Sequence, residues 1–162
     1  MSTEHLTKKF GASGIKGGKG EDWLYAKLLK VYDEVIDYRT DMQKQIVGID
    51  FAVKKNSWFR PFNLDCKTNL FIDDDKQSTY FEYIKNGKPG WFLKSQADRI
   101  YHVNVERNKG LYYDLNDMRQ VVSRRLLFQD MKGFEILKSG QDLLLKVDLS
   151  LPEIKSLLKV IW

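Results

Sequence analysis

From Glu21 onward the chain switches between two hydrophobic periods. Leu24, Leu28, Val31 and Val35 recur at helical spacing, which predicts an amphipathic helix with one apolar stripe and Glu21 at its edge. Segments 46–55 (IVGIDFAVKK) and 61–71 (PFNLDCKTNLF) read as strands joined around Asn56 and Ser57. A polar acidic loop at 73–76 leads into a third strand at 78–85, and KNGKPG (85–90) is turn material. Beyond it the pattern predicts a short helix over 91–99, strands at 100–106 and 111–115, and a helix over 117–129. GFEIL and LLLKVDL form a predicted hairpin around Ser139 and Gly140. Ser150-Leu151-Pro152-Glu153 has the form of a capping box opening a last helix to Trp162. Alternating helices and strands place the chain in the α/β class, with a central mixed β-sheet flanked by helices in one domain over 21–162.

Residues 1–20 differ from the rest. Gly11, Gly14, Gly17, Gly18 and Gly20 are interspersed with Lys8, Lys9, Lys16 and Lys19. Such a stretch loses much entropy on ordering, so it reads as a flexible basic arm. Its functional version would settle on phosphates; its glycine spacing fits neither a P-loop nor a dinucleotide fingerprint. Net charge is +5, compatible with a polyanionic partner and equally with solubility alone. The length of 162 residues suffices for a real core. No apolar run approaches a membrane span and the N-terminus has no apolar signal core, so the expectation is a cytoplasmic protein.

Metal chemistry is narrowed by what the chain contains. One cysteine, Cys66, excludes an intrachain disulfide, and with 2 histidines, His5 and His102, a soft-metal centre lacks ligands. A metal here would be a hard cation on carboxylates. Along 61–71, Asn63, Asp65, Lys67 and Asn69 share one strand face, while Leu64, Cys66 and Thr68 share the other. In the preceding strand Asp50 points with Gly48 and Ala52, a face that leaves room for a metal and substrate. If the two strands pair, Asp50 and Asp65 converge on one cation. The acidic-x-Lys triplet is itself cheap: Asp74-Asp75-Lys76, Asp130-Met131-Lys132 and Glu153-Ile154-Lys155 repeat it in loop or helix-end settings. A surface strand with an Asp–Lys ion pair is the bland alternative.

Glu21 on the first helix, Asp50 in Gly48-Ile49-Asp50, and Asp65 and Lys67 in Leu64-Asp65-Cys66-Lys67 occur in an order that resembles the PD-(D/E)xK nuclease superfamily. This is the fold of many restriction endonucleases and of archaeal-type Holliday junction resolvases. The resemblance covers roughly residues 19–106 and includes Lys19-Gly20-Glu21 and the Ser95-Gln96-Ala97-Asp98 segment before Ile100. Ile49 stands where the family commonly has Pro. The resemblance implies a restriction endonuclease-like core and Mg²⁺-dependent DNA hydrolysis, with Mn²⁺ able to substitute. Asp50, Asp65, the Cys66 carbonyl and Glu21 would ligate the metal, Lys67 would orient the attacking water, and Gln96 would position water or substrate. It further implies a homodimer if the substrate is branched DNA cut symmetrically, and a role in recombination, repair or phage DNA processing.

Other carboxylates weigh less. Glu34, farther along the predicted helix, falls off the face of Glu21, and Asp22 suits the helix's first-turn dipole. Asp73, Asp74 and Asp75 lack the Gly and distal Glu of a calcium loop and read as solvated. His102 reads as structural and Cys66 as a small inward-packing group. Two further classes stay open: a non-catalytic DNA-binding module on the same fold, and a partner-binding protein using Trp91, Phe92 and Trp162 at an interface.

Overall fold

A computed structural model describes residues 18–73 and 76–161. The basic arm through residue 17, the loop residues Asp74 and Asp75, and Trp162 lie outside the described residues. Helix α1 occupies residues 18–28, so Gly18–Gly20, assigned above to the arm, belong to the helix. Its buried stripe is Gly20, Leu24 and Leu28. A Cβ at Gly20 would fall on the Thr68 methyl, at 2.0 Å, so glycine is what lets α1 approach the sheet there.

The helix stops earlier than its hydrophobic pattern suggests. Val31 is exposed in a turn, and Val35 sits on strand β1 (Glu34–Asp37), paired with Val53. The β-branched run Val35-Ile36 prefers the pleated conformation, and helical spacing there is coincidental. Segment 46–55 also divides. Asp41 accepts from the N–H groups of Gln43 and Lys44 and so caps a short helix, α2 (Met42–Ile46). Gly48 then turns the chain at φ +70°, and strand β2 covers only Phe51–Lys54. Asp50 is therefore set by a turn rather than by strand alternation through Gly48.

Strand β3 (Phe62–Lys67) pairs antiparallel with β2, aligning Phe51 with Leu64, as the predicted hairpin requires. Strand β4 is Phe71–Asp73, β5 is Lys76–Lys85 and β6 is Lys88–Pro89. After helix α3 (Trp91–Lys94) the chain enters β7 (Arg99–Asn104), which runs parallel to β3 with Lys67 beside His102. Strand β8 (Lys109–Asp114) follows, then helix α4 (Leu115–Leu127), capped by Asp114, and the β9 (Phe134–Ser139) and β10 (Asp142–Asp148) hairpin. The chain closes with α5 (Pro152–Lys155) and β11 (Lys159–Val160). The capping box does not form. Ser150 donates to Asp148, Glu153 pairs with Arg125, and the residue at the cap position is Leu151. The last helix is one turn long.

The result is a mixed α/β protein with two sheets. The first, mixed, has the order β1-β2-β3-β7-β8-β11; the second, antiparallel, runs β4-β5-β10-β9, with β6 on β5. The strand at 78–85 thus leaves the first sheet. Helix α1 covers one face of that sheet over Phe51, Val53, Leu64, Cys66, Tyr101 and Val103. The opposite face, carrying Ile100, Leu111 and Tyr113, packs on Phe81, Leu145 and Val147 of the second sheet and on α4. Phe92 is fully buried and stacks on Phe81 at 4.4 Å, so it is core and not interface. No helix among the described residues is long and apolar enough to cross a membrane.

Candidate active site

Asp50 and Asp65 meet where β2 begins and β3 ends, and both are buried. Each oxygen of Asp50 has a donor: Oδ2 accepts from the Cys66 N–H at 2.7 Å, and Oδ1 accepts from Gln45 Nε2 at 2.9 Å. The same Gln45 amide donates to the Ile49 carbonyl at 3.0 Å, fixing the turn that carries Asp50. Asp65 is 1 % exposed. Its Oδ1 accepts from Lys67 Nζ at 2.6 Å, while its Oδ2 is buried without a hydrogen-bond partner among the described residues. Native proteins seldom leave such an atom unpaired, and each exception needs a cause: strain, a catalytic role, or a bound water or ion.

The electrostatics follow from this crowding. Burial, opposed by the Lys67 ammonium and assisted by the Asp50 charge, lifts the Asp65 carboxyl to about 7. Lys67 loses hydration, yet the Asp65 and Asp50 carboxylates more than compensate and raise its pKa. Its ammonium also stands over the Trp91 ring, 5.3 Å from the centroid. Glu21 is half-buried. Burial and then repulsion from Asp50 raise its pKa, against the pull of Arg39 and Lys67. Glu21 therefore lies within the field of the pair. Arg39 anchors that edge: it pairs with Asp22 at 2.5 Å and Asp37 at 2.6 Å, over the Tyr25 and Phe51 rings. Asp22 is thus an ion-pair partner; with α1 helical from residue 18 it lies past the first turn, not in it as expected. Glu34 is exposed on β1, off the helix on which it was placed.

The remaining expected residues divide. The Cys66 side chain is buried with the α1 face, as its inward packing requires. Gln96 follows α3 and is exposed; its N–H donates to the Val47 carbonyl, which ties the α3 exit to the Gly48 turn. The buried neighbour Ser95 comes closer to the pair. Its hydroxyl donates to the Gly48 carbonyl at 3.2 Å. A Cβ on Gly48 would lie 3.0 Å from Ser95 Oγ and 3.3 Å from Asp65 Oδ2. Glycine thus lets this turn pack closely against Ser95 and Asp65, at a positive φ that a side chain would strain.

Behind Lys67 lies a second polar group. His102 Nδ1 donates to Asn69 Oδ1 at 2.6 Å, which leaves Nε2 to accept from the Tyr113 hydroxyl at 2.8 Å. Thr79 Oγ1 also donates to Asn69 Oδ1, at 3.0 Å. Burial, with Lys67 nearby, drops the His102 pKa to about 3, so the ring is neutral and structural.

Among the described residues no set of three His, Cys, Asp or Glu side chains is preassembled to hold a metal ion. What the fold supplies is the Asp50–Asp65 pair, with one buried oxygen that has no hydrogen-bond partner among the described residues. That hard-oxygen pair fits a cation such as Mg²⁺, whose remaining sites are commonly filled by water and substrate phosphate. Gln45 and Arg39 carry no signal of a site role in the sequence pattern; the Asp41 cap was the available signal for α2 and hence for Gln45. Comparison with protein-family models, curated proteins and solved structures finds no match.

Proposed function

We propose that the chain is a metal-dependent endonuclease that hydrolyses DNA phosphodiester bonds at the Asp50–Asp65–Lys67 centre. The observation that carries this reading is the pair of buried carboxylates on adjacent chain segments, one oxygen unpaired and a lysine on the other carboxylate oxygen. A structural ion pair would have no need to bury a second carboxylate beside the first. The order of elements also supports a restriction endonuclease-like core: α1, three antiparallel strands β1-β2-β3, then α3 and a strand parallel to β3.

Asp50 and Asp65 would hold Mg²⁺, with the Cys66 carbonyl and Glu21 completing the protein's share. When bound, the ion supplies charge for the scissile phosphate and an acidified water. The chain's own groups do the rest. Gln45 and the Cys66 N–H lock Asp50 in one orientation. Lys67, held charged by Asp65 and the Trp91 face, orients the attacking water and offsets negative charge developing on the phosphate. Gln96, exposed after α3, would contact substrate in this reading. A homodimer belongs to this reading where the substrate is branched DNA, and light scattering measures it.

The test is a Mg²⁺ panel of linear duplex, single-stranded, flapped and four-way DNA. Wild type is expected to cut at least one substrate. Asp65→Ala and Lys67→Ala are expected to lose at least ~1,000-fold in rate while melting cooperatively. Undiminished cleavage by both variants would refute the assignment. Salt-sensitive binding without cleavage by wild type would establish the non-catalytic module instead.

A further inference from the structure

A cleft of about 660 Å³ opens between the two sheets. Its walls begin at Thr68, next to Lys67, and at Lys19, two residues before Glu21. Val103 and Asn104 extend it along the end of β7. The cleft therefore lies outside the carboxyl ends of the parallel pair β3–β7, where α/β sheets tend to place ligands.

Its chemistry is mixed in a specific way. Lys19, Arg107 and Lys146 contribute three cations against one carboxylate, Glu106. Lys146 reaches Glu135 only at 3.8 Å, and no ion pair ties Lys19 or Arg107 to a carboxylate among the described residues. Among the lining residues Phe71 meets Tyr80 edge-on at 5.3 Å, and Phe71 is 44 % exposed. An exposed aromatic beside unpaired cations suits a ligand with both planar faces and negative charge. The cleft's volume, within the ~300–1,000 Å³ range of small-ligand sites, suits one or two nucleotides.

We propose that this cleft is a subsite for a single DNA strand running past the Asp65 centre. Phe71 and Tyr80 form the stacking platform, and Lys19, Arg107 and Lys146 receive the phosphates. The subsite rests on the nuclease reading and gives it a substrate class: DNA with an unpaired segment next to the scissile bond.

The test uses the full chain carrying Asp65→Asn, in EDTA, so that binding is read without cleavage. Anisotropy of a labelled short oligothymidylate is compared with that of a duplex of equal length. Phe71→Ala is expected to weaken strand binding about tenfold, with duplex binding unchanged. Arg107→Glu, on an exposed turn that tolerates substitution, is expected to weaken it similarly. It should also lower the salt slope by about 0.7, the value for one phosphate contact on a single strand. Glu106→Gln is expected to tighten binding. Strand affinity unchanged in both Phe71→Ala and Arg107→Glu would overturn the subsite, as would an equal loss on the duplex. The two readings fail separately. Wild type that binds the strand through these residues yet cuts nothing removes the nuclease and keeps the subsite. Cleavage with no effect of Phe71 or Arg107 does the reverse.

Discussion

Two buried polar clusters stand side by side on β3 and β7, and they are built on opposite terms. In the first, Asp50 and Asp65 are pressed together, and one Asp65 oxygen has no hydrogen-bond partner among the described residues. In the second, around His102, both ring nitrogens are satisfied through Asn69, Thr79 and Tyr113. Lys67 and His102 are register partners, so the clusters share a wall. A closed network stabilises and fixes the packing between the two sheets. An open one costs stability, and its retention in the interior suggests a function that uses the spare oxygen.

The sharpest break in this comparison comes from opening the closed cluster. His102→Ala strands Asn69, Thr79 and Tyr113 and leaves a cavity, for an expected loss of about 3 kcal/mol in urea unfolding. The crowded cluster should respond with the opposite sign. Asp65→Asn removes a buried charge and is expected to stabilise the protein at neutral pH by roughly 1–2 kcal/mol. Mg²⁺ should raise the Tm of wild type and leave that of Asp65→Asn unmoved.

The clusters also carry opposite pH slopes. His102 falls from its ordinary 6.5 to about 3 in the fold, so the unfolded chain binds the extra proton. Its contribution is complete above about 6.5 and is lost as pH falls toward 3. Asp65 rises from 3.8 to about 7, so the folded chain holds the extra proton and stability declines as pH rises across that window. Stability profiles of His102→Gln and Asp65→Asn should each lose one of these slopes. The smallest effect is expected from Gln45→Ala. It frees Asp50 Oδ1 and the Ile49 carbonyl, for roughly 1 kcal/mol of stability and about a tenfold slower cleavage rate.

Much of the open cluster was legible in the sequence, because strand alternation is a local rule. Asp65 and Lys67 on one face, Cys66 on the other, and the β2–β3 hairpin all follow from a period of two. His102 opposite Tyr101 and Val103 follows likewise. What the pattern hid depends on distant contacts. Val35 mimics a helical stripe but belongs to β1. Helix α2 was masked by the apolar run after it, although Asp41 marked its start. The partition into two sheets, and the pairing of Glu153 with Arg125 in place of a capping box, arise from partners remote in sequence.

The most direct measurement is nicking of supercoiled plasmid DNA by purified wild type and Asp65→Asn, with Mg²⁺ and with EDTA. Wild type should nick with Mg²⁺ and stop in EDTA, while Asp65→Asn, at least as stable, should stay inactive in both. Equal nicking by the two proteins, or nicking by wild type that survives EDTA, would contradict a metal-dependent centre at Asp50, Asp65 and Lys67.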